Sequence, residues 1–173
     1  MNDTKNEKPS SSESGNANAD AIRIIGIDPA AKCGWAHSGG PCGVWQITSK
    51  GDKHPGRRLE RFRRYLFKVK RDLGIDLIAA EDAAFGSRVR SVQALHDELR
   101  GILKLCAAEW EIPILLLKPT SIKKWLTGNG RADKQQMILA VRTLFGVETS
   151  DDNLADAVAI MEMAKGNVTA KVN

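Results

Sequence analysis

AIRIIGIDPAAKCGWA, residues 21–36, is the stretch that decides the fold. Its first half, AIRIIGID, is a short apolar run that stops at Asp28 and Pro29. Proline cannot donate to a sheet ladder, so the run reads as a central strand that delivers Asp28 to its C-terminal edge. CGWAHSG (33–39) and GVWQIT (43–48) alternate as two further strands, with Gly39, Gly40 and Pro41 supplying the turn between them. The economical arrangement of these three segments is an antiparallel meander. DLIAAED (76–82) is again a short apolar run, now with Glu81 near its end, and reads as a buried strand returning beside the first. A second acid therefore arrives at a strand end. Pro113 to Leu117 supplies a last buried strand.

Helices are expected between and after these strands. Between Pro55 and Gly74, Leu59, Phe62, Leu66, Val69 and Leu73 recur at three- and four-residue steps, while Arg and Lys fill many of the other positions. Val92, Leu95, Leu99, Ile102, Leu103, Cys106 and Trp110 mark a second amphipathic helix, from about 88 to 110. Three shorter helices follow at about 119–127, 133–145 and 152–165, the first two separated by the loop Gly128 to Ala132. Alternation of strands and helices makes the class α/β with a mixed sheet.

A chain of 173 residues with 42% hydrophobic content fits one domain without a disulfide or metal staple. Residues 1–20 have no aromatic or branched aliphatic side chain and read as a disordered polar tail. That tail is net acidic and lacks both Arg and an apolar stretch, which argues against a transit or secretory signal, and no later segment reaches membrane-spanning length. Positive charge therefore concentrates in residues 21–173. Cys33, Cys42 and Cys106 are odd in number and lack CxxC spacing, so they suggest a reducing compartment rather than a disulfide framework or a zinc site. Trp35, Trp45, Trp110 and Trp125 fall mostly on apolar faces and are expected in the core. His37, His54 and His96 form no pair at ligand spacing.

The acids carry the chemistry. Asp28 and Glu81 sit at the ends of apolar strands, where an unpaired charge is costly unless a cation compensates it. In DDNLADAVAI, Asp152 and Asp156 are four residues apart and on a helix lie about 40° apart around the axis, sharing a face that excludes Asp151. Hard oxygen ligands of this kind suit Mg2+ or Mn2+, and two such ions about 4 Å apart can activate a water and stabilise the leaving oxygen of a phosphodiester. Plainer readings stand beside this one: Asp28 could start a turn, Glu81 could pair with an arginine, and Asp151 or Asp152 could cap the last helix.

Four ordered segments resemble the RuvC family of Holliday junction resolvases. IIGIDPAAKCGWA resembles the family's first strand and turn, LIAAEDAAFG its second acidic strand, and DNLADAVAIMEMA its final acidic helix. Between the last two, KPTSIKKWLTGNGRADKQQMILAVRTLFG resembles the family's basic helix, Gly-x-Gly loop, Ala-acid-Lys step and following amphipathic helix. The resemblance implies a ribonuclease H-like five-stranded mixed sheet flanked by helices over 21–173, a homodimer, and paired symmetric nicks at four-way DNA junctions in the cytoplasm of a bacterial or phage-infected cell. It places Asp28, Glu81 and Asp156 on three metal-binding carboxylates, with two Mg2+ or Mn2+ ions per site. The family's remaining ligand usually stands three residues before the last Asp, which here is Asn153, whereas Asp152 stands one residue earlier. Asp152 is the expected fourth ligand and Asn153 the alternative. Lys123 and Lys134 fall on basic positions that the family associates with the active site. Ala30 departs from the glycine common after Asp-Pro, which bears on the shape of the first turn.

DNA would be held by positive charge. Residues 53–71 contain nine Lys or Arg against one Glu, and Arg88, Arg90, Lys118, Lys124 and Arg131 add to the total. Phe85, in a Gly- and Arg-containing segment just after Glu81, is a candidate for stacking on or wedging between bases, with core packing as the competing role. Two other functions remain open at this point: a related ribonuclease H-like nuclease acting on other branched DNA or RNA, and a catalytically silent junction-binding protein.

Overall fold

The computed structural model describes residues 21–82 and 90–172. The strands β1 (Ile24–Asp28), β2 (Lys32–His37), β3 (Cys42–Gln46), β4 (Leu77–Glu81) and β5 (Ile114–Leu117) form one sheet in the order β3-β2-β1-β4-β5. β1, β2 and β3 are the expected antiparallel meander, while β4 pairs parallel with β1 and β5 parallel with β4. The helices are α1 (Arg57–Leu73), α2 (Arg90–Glu109), α3 (Pro119–Thr127), α4 (Lys134–Phe145) and α5 (Asp152–Val172). This is the five-stranded mixed sheet with flanking helices that the family resemblance implies. Among the described residues no helix is long and apolar enough to cross a membrane.

Strand residues alternate between two cores. Ile25 and Ile27 of β1 and Ile78 and Ala80 of β4 pack with Phe62, Leu66 and Val69 of α1 and Leu95, Leu99 and Leu103 of α2. Ile24, Leu77 and Ala79 turn to the other face and pack with Ala157, Val158 and Ile160 of α5, together with Ile122 of α3 and Met137 and Val141 of α4. Because β1 and β4 are covered on both faces, they read as continuous apolar runs rather than alternating ones.

α5 lies unusually close to the sheet. A Cβ on Gly26 of β1 would stand 2.5 Å from the Ala157 carbonyl oxygen and 2.6 Å from the Met161 backbone nitrogen. A Cβ on Gly34 of β2 would stand 1.8 Å from the carbonyl oxygen of Asn153. The two glycines thus let the helix backbone settle where a side-chain layer would otherwise hold it away, and Ala155, Ala157 and Ala159 keep the helix side equally thin.

Several sequence expectations are corrected. α5 runs to Val172 rather than ending near 165, passing through Gly166, which meets nothing within 4 Å and is tolerated in an open position. Trp45 is buried and Trp35 and Trp110 are half-buried against the α1/α2 core, but Trp125 is 44% exposed and stacks on Phe145 of α4 at 6.3 Å. Its position on α3 faces outward beside Lys124, so helical spacing alone overstated its burial. Cys33 and Cys106 are buried and Cys42 half-buried, all three free, as small core hydrophobes would be.

The close approach predicts opposite outcomes for two alanines. Gly26→Ala should lower stability by about 1–3 kcal/mol through overpacking against α5, whereas Gly166→Ala should raise it by about 0.5–1 kcal/mol by removing backbone freedom from the unfolded chain. Urea denaturation of the two variants against the parent protein checks both signs.

Candidate active site

The sheet register brings the first two acids together. Ile27 pairs with Ala80 across the parallel β1–β4 ladder, so Asp28 and Glu81 are the next residues on the same edge. Alternation then sends both toward the α5 face, because Ile27 and Ala80 belong to the α1/α2 core. Asp28 also pairs across the antiparallel ladder with Gly34, the glycine on which the first turn of α5 rests. The start of α5 is therefore indexed directly against Asp28, and its acids descend onto the same edge.

Electrostatics report the convergence. Asp28 is only 9% exposed, and its carboxyl is pushed well above the usual range by burial first and then by the charges of Glu81, Asp156 and Asp152. Burial and the neighbouring Asp156 raise Glu81 to about 7. Asp156 is raised to about 6 by burial, with Asp152 adding to the rise and Lys123 and Lys134 opposing it. Among the described residues, no group donates a hydrogen bond to Asp28, Glu81 or Asp156. The arginine that could have neutralised the end of β4 goes elsewhere: Arg100 of α2 pairs with Asp82 at 2.8 Å and also with Asp97.

Two lysines border the acids, as their positions in the chain imply. Lys134, at the first position of α4, forms an ion pair with Asp152, which holds its ammonium above the usual lysine value. Lys123 of α3 donates to the Ala132 carbonyl oxygen at 2.7 Å and lies close enough to Glu81 and Asp156 to lower both. Both lysines are set by the turn between α3 and α4: Gly128 ends α3 in the left-handed conformation, and Asp133 opens α4 with a reciprocal capping box to Gln136.

The residues around the start of α5 divide their roles. Asp151 is the cap: its Oδ1 accepts from the backbone N–H of Asn153 at 3.1 Å and of Leu154 at 3.4 Å. The Asn153 side chain is turned onto the same oxygen at 3.1 Å, and Lys32 of β2 forms an ion pair with the other carboxylate oxygen. Asp152 instead faces Lys134 and adds to the field on Asp28 and Asp156. Sequence reasoning left Lys32 and the capping of Asp151 unassigned to one another, since 119 residues separate them.

Outside this edge the cations sort into two groups. Arg57, Arg58, Arg61, Arg63, Lys68 and Arg71, on the basic α1, are all ion-paired, with Glu60, Glu98, Asp52, Glu109 and Asp72 as partners. The basic face expected to meet phosphates is thus largely tied down within the chain. Arg90, Lys118, Lys124 and Arg131 are exposed and pair with no acid among the described residues. Phe85 and Arg88 lie outside the described residues.

The arrangement fits hard divalent cations. Its donors are carboxylate oxygens that repel one another, Asp28 buried and Glu81 and Asp156 half-buried, these three without a hydrogen-bond donor among the described residues, and a cation is the compensation such a group lacks. Among the described residues no three such side chains are gathered closely enough to hold a metal ion as they stand, and Asp152 is drawn aside by Lys134.

A carboxyl whose value is raised by folding contributes stability below its unfolded value and loses it as pH climbs through the folded one. For Glu81 that window runs from 4.5 to about 7, and for Asp156 from 3.8 to about 6. Metal-free protein should therefore lose stability as pH rises from 4 to 7, and Asp28→Asn should be more stable than the parent at pH 7. Thermal unfolding in EDTA tests this; a variant less stable than the parent would contradict the strained-carboxylate account.

With the geometry in view, comparisons with known proteins bear on identity. The family model described as crossover junction endodeoxyribonuclease RuvC matches residues 24–163. A protein of that name from Chloroflexus aggregans is 34% identical over 149 residues, covering 80% of this chain and 90% of the relative. One from Nitratidesulfovibrio vulgaris is 31% identical over 163 residues, covering 87% and 96%. Among solved structures, Thermus thermophilus RuvC in complex with a Holliday junction substrate superposes with a TM-score of 0.69 at 21% identity, covering 87% of this chain and 96% of the other. The yeast mitochondrial Holliday junction resolvase gives 0.59 at 16% identity, covering 88% and 83%. The structural likenesses support the fold, and the family model and sequence relatives fix the lineage: the chain belongs to the RuvC family of crossover junction endodeoxyribonucleases.

Proposed function

We propose that this chain resolves four-way DNA junctions by hydrolysing phosphodiesters at the sheet edge where Asp28, Glu81, Asp152 and Asp156 converge. The observation that carries the reading is that Asp28, buried, and Glu81 and Asp156, half-buried, come together from β1, β4 and α5 with no hydrogen-bond donor among the described residues. The family is one of metal-dependent nucleases. Asp28, Glu81, Asp152 and Asp156 would hold two Mg2+ or Mn2+ ions per site, which would supply a nucleophilic water and stabilisation of the leaving oxygen.

The chain's own residues do the rest. Asp28 and Glu81 are fixed by two hydrogen-bonded strands, so their spacing varies little, while Asp152 and Asp156 arrive on one face of a helix. Asp152 is the fourth ligand in this reading, because the Asn153 side chain is committed to Asp151. Lys134 and Lys123 border the acids from α4 and α3, where an ammonium stabilises negative charge developing on the phosphate. Arg90, Lys118, Lys124 and Arg131 bind flanking phosphates, and Phe85 and Arg88 retain the DNA-contact roles expected from their sequence. Symmetric nicks in opposing arms require two sites, so the active form is a homodimer. α2, which exposes Val92 and Leu105, carries its interface. The bacterial relatives support a cytoplasmic setting.

Mapped cleavage of labelled four-way junctions in Mg2+ or Mn2+ tests the core of this reading. Paired nicks in opposing arms are expected, with flaps, plain duplex and RNA hybrids cut poorly. Asp28→Asn and Glu81→Gln should abolish cleavage while leaving junction affinity within about three-fold; continued cutting by either would remove that residue from the site, and single unpaired nicks would count against the dimer.

The two groups of cations give a second test. Lys124→Ala or Arg131→Ala should weaken junction binding and reduce the slope of log affinity against log salt by roughly 0.9 each. Arg61→Ala, which breaks a pair with Asp52, should leave that slope unchanged and lower the melting temperature instead.

A further inference from the structure

Lys32 stands at the first position of β2, and no feature of its local sequence marks it for the active site. Its ammonium nevertheless reaches Asp151, the cap of α5. Asp151 gathers three more contacts at once: the backbone N–H of Asn153 and of Leu154 and the side-chain amide of Asn153. The next residue along β2 but one, Gly34, bears on the Asn153 carbonyl and pairs with Asp28. The first turn of α5 is thus gripped from beneath by the glycine contact and from the side by Lys32, both belonging to the strand that neighbours the one carrying Asp28.

We infer that Lys32 and Asn153, acting through Asp151, are positioning residues that set the rotation of the first turn of α5 and so the placement of Asp152 and Asp156 against Asp28. The inference rests on the nuclease reading above and extends it to residues that touch neither ion nor DNA. A helix cap fixes only the end of a helix; a cap tied to a strand fixes that end relative to the sheet. Asn153 occupies the place where the family usually puts a ligand, and here its amide donates to a carboxylate instead of offering its oxygen to the cluster. The position has become a strut, and the acid one residue earlier faces the site in its place.

The sign of the effect separates this role from plain electrostatics. A lysine that acted only as a nearby positive charge would weaken cation binding, so removing it would tighten binding. A lysine that holds the ligands in place does the reverse. Manganese binding to the DNA-free protein, followed by calorimetry and by the EPR signal of free Mn2+, is the direct readout. Lys32→Met and Asn153→Ala should each bind Mn2+ roughly ten-fold more weakly, and Lys32→Arg should recover most of the loss. In cleavage assays the Mn2+ concentration for half-maximal rate should rise by a similar factor, with the rate at saturating Mn2+ close to the parent's. Lys32 cannot itself be a ligand, so its loss separates a strut from a direct role of Asn153. Manganese binding by Lys32→Met as tight as the parent's, or tighter, overturns the inference. Asp28→Asn is the parallel control: if it loses Mn2+ while Lys32→Met does not, only the positioning role fails, and if it binds normally the nuclease reading itself fails.

Discussion

The rest of the structure depends on how closely the backbone of α5 lies on β1 and β2. With no Cβ at Gly26 or Gly34, the helix descends until Ala157 and Asn153 carbonyls occupy the space a side chain would take. At this spacing Asp156 reaches the field of Glu81, and Asp152 that of Asp28. The buried surface of α5, made of Ala155, Ala157, Val158, Ala159 and Ile160, is correspondingly small-featured, and the helix is enclosed by the sheet on one side and α3 and α4 on another. A helix surrounded this way shows little contrast between its faces.

That packing concentrates negative charge, and the remaining charges of the molecule are arranged so as not to cancel it. On α1 and α2, cations and anions meet one another in surface pairs, each worth about 0–1 kcal/mol, so these arginines and lysines are matched on their own side of the sheet. Arg100 is the clearest instance, since it binds Asp82, the neighbour of Glu81, and leaves Glu81 alone. The two lysines that do approach are both held by the α3–α4 turn, Lys134 at a capped helix start and Lys123 on the Ala132 carbonyl. The cluster is therefore left with partial compensation, and burial first, with the residual repulsion adding to it, raises three of its carboxyls.

Much of this was legible in the chain because the relevant signals are local. IIGID and LIAAE are apolar runs that end in an acid, and strand parity alone then puts Asp28 and Glu81 on a common face once the strands are paired. α3 ends where Gly128 interrupts the pattern, as its spacing implies. What stayed hidden depended on partners distant in sequence. The basic pattern of residues 53–71 looks like a phosphate-binding face because Glu98 and Glu109, which neutralise Arg58 and Arg63, come from another helix. Trp125 has a core-like position by periodicity, yet the α3 surface it occupies is covered only by Phe145. The extra length of α5 was masked by Gly166 and Asn167, residues that usually mark a helix end and here sit inside one.

The different partners of Asp152 and Asn153 follow from helix geometry. Relative to Asp156, a residue four positions earlier is displaced about 40° to one side of the helix and a residue three positions earlier about 60° to the other. Moving the acid from one position to the other therefore swings it by about 100°, from the side that rests on β2 to the side that faces α4. On the β2 side the space is already filled, with the Asn153 carbonyl against Gly34 and its amide on Asp151. On the α4 side stands Lys134, whose ammonium meets Asp152. An acid at 153 would sit against the carboxylate of Asp151, and the like charges would oppose the very cap that starts the helix. Asparagine there keeps the size and hydrogen-bonding reach of aspartate while turning that repulsion into a bond, and the carboxylate of Asp152 lies on the side where the Lys134 ammonium meets it.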